Sequence, residues 1–248
     1  MKRAFLIALM LVSIASTATA QKIRIAAMEW EPYTGEKIEG KGLLSAICVE
    51  ALKRAGYDSE IIIYPWARAV EETKLGNTEA LLGASYLKER TEFFAYPDEV
   101  WINRVGFFTQ KSRADKKSFS TIEALAPATV GVLNGSNFIE VLKKVKGITV
   151  AAGPTVESNI MKVATGRIDY LIEDKTSVEY LLSTKLPELK EKLKFIEPQY
   201  SLDKIYLVFS KKSPNSATLV SDFNKGLAQM KKDGSINKLA KKYGVKSK

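Results

Sequence analysis

Histidine is missing from all 248 residues, and cysteine occurs once, at Cys48. Without an imidazole there is no Ser-His or Cys-His nucleophile pair and no histidine-ligated metal site. A lone cysteine excludes an intramolecular disulfide even in an oxidising compartment, so stability must come from packing. Cys48 falls among Leu44, Ile47, Ala51 and Leu52 at helical spacing, the setting of a buried thiol rather than a nucleophile. Long apolar runs are also scarce. The one over residues 4–14 is shorter than the roughly 20 residues that span a bilayer. It is preceded by Lys2 and Arg3 and followed by Ala18-Thr19-Ala20, so residues 1–20 read as a cleaved secretory signal, with the mature chain starting near Gln21. The expected location is the periplasm, in soluble form.

Basic residues outnumber acidic ones, for a formal charge of +10 that falls to +8 without Lys2 and Arg3. The lysines are dispersed, with pairs such as Lys143-Lys144, Lys231-Lys232 and Lys241-Lys242 near expected helix ends, where a cation suits the helix dipole. They read as solvated surface. With the export signal, this argues against a nucleic-acid partner.

What is present is an alternation of short strand-like runs with helical periodicity, the pattern of α/β architecture. Strands are expected over residues 23–28, 60–64 and 80–85, with helices over 43–55 and from Pro65 to Gly76 between them. The connections are long enough for parallel pairing. After a strand-like stretch at 105–110 the pattern restarts: strands at 129–133, 148–151 and 170–173, with helices from about Asn137 and over 156–165. A second strand-like run, 204–209, leads into helical sequence over 215–242, interrupted at Gly234. Two crossings and a helical tail suggest a chain that builds one lobe, passes to a second and returns. The expected boundaries are residues 21–106 and 204–248 for lobe one and 107–203 for lobe two. Each lobe should be a mixed sheet flanked by helices, with the two crossing strands as a hinge.

Several local features recur in order along this framework. They are Glu31-Pro32-Tyr33, Gly42, Lys88-Glu89-Arg90 with Phe94 and Pro97, and Val130-Gly131-Val132 with Gly135-Ser136. Gly166-Arg167-Ile168-Asp169 with Asp174 follows, then Lys232-Asp233-Gly234-Ser235 and Lys241-Lys242-Tyr243-Gly244. Together they resemble the family 3 extracellular solute-binding proteins, the polar amino-acid group of periplasmic binding proteins with the type II two-lobed fold. The resemblance covers essentially the whole mature chain. It implies a monomer that closes on a small ligand, an amino acid or a related anion, for the membrane permease of an ABC transporter. No catalytic residue, metal or cofactor is implied.

A free amino acid carries a carboxylate and an ammonium, and a dry site must pair both. Arg90, just past a strand end, matches the family's carboxylate-binding arginine, and its guanidinium fork suits a carboxylate. A surface pairing with Glu89 or Glu92 is the alternative. Gly135, Ser136 and Asn137 stand between a strand and a helix start, where backbone N–H groups favour an anion; Ser136 or Asn137 as a plain N-cap reads equally well. Asp174 matches the carboxylate that takes the ammonium and also suits a helix N-cap, while Glu173 beside it should face the other way. Ser85 matches a supporting hydroxyl, and the Gly83 carbonyl is a further acceptor. Trp30 and Trp66 match the aromatic walls of the ligand side chain, or belong to the core. Tyr33 and Trp101 read as structural. Arg68 is one helical step from the cleft edge, within reach of an acidic ligand or simply solvated. Ala27 stands where binders of basic amino acids carry an acid, which counts against lysine or arginine. Two other classes stay open: a sensor with no transporter, and an enzyme on the same fold resembling cyclohexadienyl dehydratases.

Overall fold

The computed structural model describes residues 22–113 and 121–246; the signal sequence read over residues 1–20 lies outside them. The chain forms β1 (Lys22–Ala27), α1 (Leu43–Arg54), β2 (Asp58–Ile63), α2 (Trp66–Leu75), β3 (Ala80–Ser85), the short β4 (Phe94–Ala95) and the long β5 (Trp101–Gln110). There follow β6 (Ala128–Leu133), α3 (Phe138–Lys143), β7 (Ile148–Gly153), α4 (Val156–Ala164), β8 (Tyr170–Asp174) and α5 (Lys175–Thr184). The short β9 (Leu193–Phe195), the long β10 (Ser201–Ser210), α6 (Ser216–Lys232) and α7 (Ser235–Lys242) complete the chain.

The strands run in the order β2-β1-β3-β10-β5-β8-β6-β7. β1 pairs in parallel with β2 and β3, and β6 in parallel with β7 and β8, so each half repeats the same three-stranded parallel unit. The halves are joined by β5 and β10. Residues 101–105 of β5 pair antiparallel with 201–205 of β10; beyond the crossing, β10 pairs with β3 and β5 with β8. These two strands begin earlier than hydropathy suggested, because each first half is broken by two adjacent polar residues, Asn103-Arg104 and Asp203-Lys204, and carries no continuous apolar signal.

In the first half, Ile23, Ile25, Leu44, Ile47, Cys48 and Leu52 are fully buried together, and burial pushes the Cys48 thiol well up, as an inert core thiol requires. Helix α6 packs on α1 through Gly226, where a Cβ would come within 2.0 Å of the Ala51 carbonyl oxygen. In the second half, Val130, Val132, Leu142, Tyr170 and Ile172 form a separate cluster. Asp169 of the Gly166–Asp169 motif pairs with Arg113 and accepts from Thr129 N at 2.7 Å, tying the loop before β8 to the start of β6. Among the described residues no helix is long and apolar enough to cross a membrane.

Candidate functional site

A cavity lies between the two halves, where the carboxyl ends of β3 and β8 face each other across the crossing strands. The first half contributes Met28, Trp30, Trp66, Gly83, Ser85 and Arg90 to its lining; the second contributes Leu133, Ser136, Asn137, Phe138, Ile172, Glu173 and Asp174. The crossing strands close the back with Asn103, Val105, Asp203 and Ile205. Eight of the ten residues expected at the site are therefore brought together.

Gly83, with φ +98°, lies beneath both indoles: a Cβ there would come 3.8 Å from Trp66 and 3.9 Å from Trp30. Trp30 and Trp66 are 6% and 8% exposed, so each serves the core with one edge and the cavity with another. Arg90 sits in the 3-10 turn Lys88–Glu92, its guanidinium 5.5 Å over the Trp66 ring and its Nη1 3.4 Å from the Ser85 carbonyl. Among the described residues no carboxylate comes within ion-pair distance of it. Burial pulls its proton affinity down, yet a guanidinium stays charged at any physiological pH.

On the facing wall, Asp174 is the last residue of β8 and the N-cap of α5, its Oδ1 accepting from Ser177 N at 2.8 Å. The cap takes Oδ1; Oδ2 is buried with no partner at hydrogen-bond distance, and the nearby Tyr33 hydroxyl partly offsets the rise in its proton affinity. Glu173 does not face away. Strand alternation ends where the backbone turns into α5, and both Glu173 and Asp174 line the cavity; Glu173 Oε1 also accepts from Asp174 N at 2.9 Å. Removal from water pushes Glu173 up to about 7 and Asp174 up to about 6. For Glu173 the Asp174 N–H holds the rise down, while the Asp174 charge adds to it. Tyr33, whose ring centroid is 4.8 Å from Trp30 and 6.4 Å from Trp101, is core.

The loop before α3 works differently from expectation. The Ser136 N–H is spent on the Leu133 carbonyl at 3.0 Å and its Oγ accepts from Phe138 N at 3.3 Å, whereas Asn137 makes no side-chain cap. Gly135, at φ +76°, does not line the cavity; its carbonyl accepts the Trp66 indole N–H at 3.2 Å, one half to the other. Arg68 is also outside the lining, pairing with Glu72 at 3.2 Å and lying over Tyr64 at 4.9 Å. Sequence reasoning missed Asn103 and Asp203, which no local motif marks.

A second, wider groove of about 780 Å³ opens on the opposite face of the crossing strands, between Arg104 on β5, Lys175 on α5 and Lys231 on α6. Of the residues expected at the ligand site it holds none; Trp101, Lys231, Gly234 and Gly244 are among its lining.

Residues 23–246 match the family model of bacterial extracellular solute-binding proteins, family 3, and the chain belongs to that family. The L-cystine-binding protein TcyA of Bacillus subtilis (strain 168) is 30% identical over 167 aligned positions, spanning 58% of this chain and 58% of that protein. The substrate binding protein of an amino acid ABC transporter superposes with a TM-score of 0.75 at 18% identity, over 90% of this chain and 98% of its own. A histidine kinase sensor domain with similarity to periplasmic binding proteins superposes with a TM-score of 0.78 at 18% identity, over 90% of this chain and 96% of its own. At such identities the solved structures establish the fold, that of the type II periplasmic binding proteins.

Proposed function

We propose that this solute-binding protein captures an amino acid between its two lobes outside the cytoplasm, as a monomer, and presents it to the permease of an ABC transporter. Lobe one comprises residues 21–106 and 204–248, and lobe two residues 107–203. One observation carries the reading: Arg90, and the carboxylates of Asp174 and Glu173, line one cavity from opposite walls, and among the described residues none of the three has an ion-pair partner. A zwitterion satisfies both, its carboxylate on Arg90 and its ammonium on the acids, and the ammonium's charge offsets the desolvation that raises the two carboxyls. Ligand docks first on lobe one through Arg90, Ser85 and the tryptophans; lobe two then closes over it about β5 and β10.

The named relative and the transporter-associated structure both support this reading. The sensor-domain structure supports a second one, in which the same closure signals rather than transports. Neither requires chemistry on the ligand, and we read the protein as a binder, not an enzyme.

The test is a thermal-shift screen of refolded, ligand-stripped protein against the common amino acids and prephenate, since a ligand that binds only the folded state raises the melting temperature by mass action. A clear rise with an amino acid is expected. Silence across all amino acids would overturn the reading, and turnover of prephenate would replace it with the enzyme.

A further inference from the structure

The back wall of the cleft offers more acceptors than one ammonium needs. Asn103 on β5 and Asp203 on β10 are register partners at the point where the two strands cross, and both line the cavity beside Glu173. Asn103 is 2% exposed and its Oδ1 has no hydrogen-bond partner. Asp203 accepts one bond, from Ser201 Oγ at 2.6 Å. Among the described residues no lysine or arginine reaches ion-pair distance of Asp203, Glu173 or Asp174.

Charge balance decides what is missing. Three carboxylates against the single guanidinium of Arg90 leave the lining at a net −2 when all are ionised. A neutral zwitterion pairs one acid and leaves that imbalance untouched, with buried carboxylates uncompensated. A metal ion does not match, because among the described residues no three acidic side chains converge closely enough to hold one. A second organic cation lowers the imbalance to −1, and its several N–H donors would be shared among Asn103 Oδ1, Asp203 and Glu173.

Resting on the amino-acid reading above, we propose that the ligand is an α-amino acid with a positively charged side chain, selected by Asp203, Asn103 and Glu173. Arg90 and Asp174 hold the head group. Ala27, which seemed to count against a basic ligand, is fully buried at the end of β1 and outside the cavity lining; the countercharge comes from the crossing strands instead.

Titration calorimetry at pH 8 on the mature chain would compare arginine with citrulline and lysine with norleucine, pairs matched in shape and differing chiefly in charge. At least one charged member should bind tenfold or more tightly than its neutral partner. Asp203→Asn should cost the charged ligand tenfold or more while leaving the neutral partner unchanged, whereas Glu173→Gln, which also meets the head-group ammonium, should weaken both members of a pair and the charged one more. If citrulline and norleucine bind as tightly as arginine and lysine, or glutamine binds more tightly than all four, the inference is overturned while the amino-acid reading stands. A charge preference untouched by both substitutions would overturn the residue assignment. Binding of no amino acid at all would overturn the reading and the inference together.

Discussion

Trp66 and Gly135 close the cleft on each other: the indole N–H of one lobe donates to the backbone carbonyl of the other at 3.2 Å. Gly135 allows that approach because its φ of +76° is left-handed and because a Cβ there would already stand 3.3 Å from Trp66 and 3.4 Å from Ala67. The contact bridges the two halves, so under the proposed closure it should weigh on ligand release more than on folding.

Trp66→Phe keeps an aromatic wall and removes the donor. A net hydrogen bond is worth about 1 kcal/mol, so affinity should fall about fivefold, mostly through faster dissociation. Gly135→Ala strains the left-handed turn by about 1–2 kcal/mol and presses on Trp66. Small-angle scattering should show less compaction at saturating ligand than in the wild type. Equal compaction would mean that the Trp66–Gly135 contact does not govern closure.

Arg90 and Arg68 differ in what they face. Arg90→Ala removes the only cation that lines the cavity among the described residues and leaves a ligand carboxylate buried and unpaired, a loss of about 2–3 kcal/mol, or roughly 100-fold in affinity. Arg68 pairs with Glu72 on the helix surface, its side chain 63% exposed, and Arg68→Ala should change affinity by no more than about twofold. Calorimetry on the two variants checks this, and equal losses would remove Arg90 from the site.

Gly226→Ala tests the frame rather than the site. A methyl group aimed at the Ala51 carbonyl from 2.0 Å forces α6 away from α1, an overpacking cost of about 1–3 kcal/mol. The urea midpoint should drop with ligand affinity nearly unchanged, because neither helix lines the cavity.

The frame was legible because both lobes repeat a strand-helix-strand-helix-strand pattern punctuated by Gly56, Gly76 and Pro65, and because parallel strands buried on both faces read as apolar runs. Arg90, Ser85 and Asp174 were legible for the same reason, since each ends or follows such a strand. Asn103 and Asp203 were not. They sit in the polar-interrupted first halves of β5 and β10, and which face meets the cleft is set by where those strands cross, a long-range relationship with no local signature. Glu173 was misplaced because alternation was carried one residue past the point where β8 gives way to the cap of α5.

The carboxyls of Glu173, at about 7, and Asp174, at about 6, should make both stability and binding depend on pH. Between their ordinary values, 4.5 and 3.8, and these raised ones, the folded protein holds protons that the unfolded chain has released. The pair's contribution to stability therefore declines as pH rises from about 4 to about 7 and is level above that. A positively charged ligand group favours the ionised acids, so capture below about pH 7 must expel a proton, and affinity should weaken as pH falls from 7 toward 5. Thermal melts of unliganded protein and calorimetry across pH 4–8 would read the two opposed slopes. Glu173→Gln should flatten both in the upper half of that window, because only Asp174 then titrates. A wild-type affinity that stays constant from pH 8 to 5 would show that ligand charge does not meet this pair, and would move the ammonium site away from the end of β8.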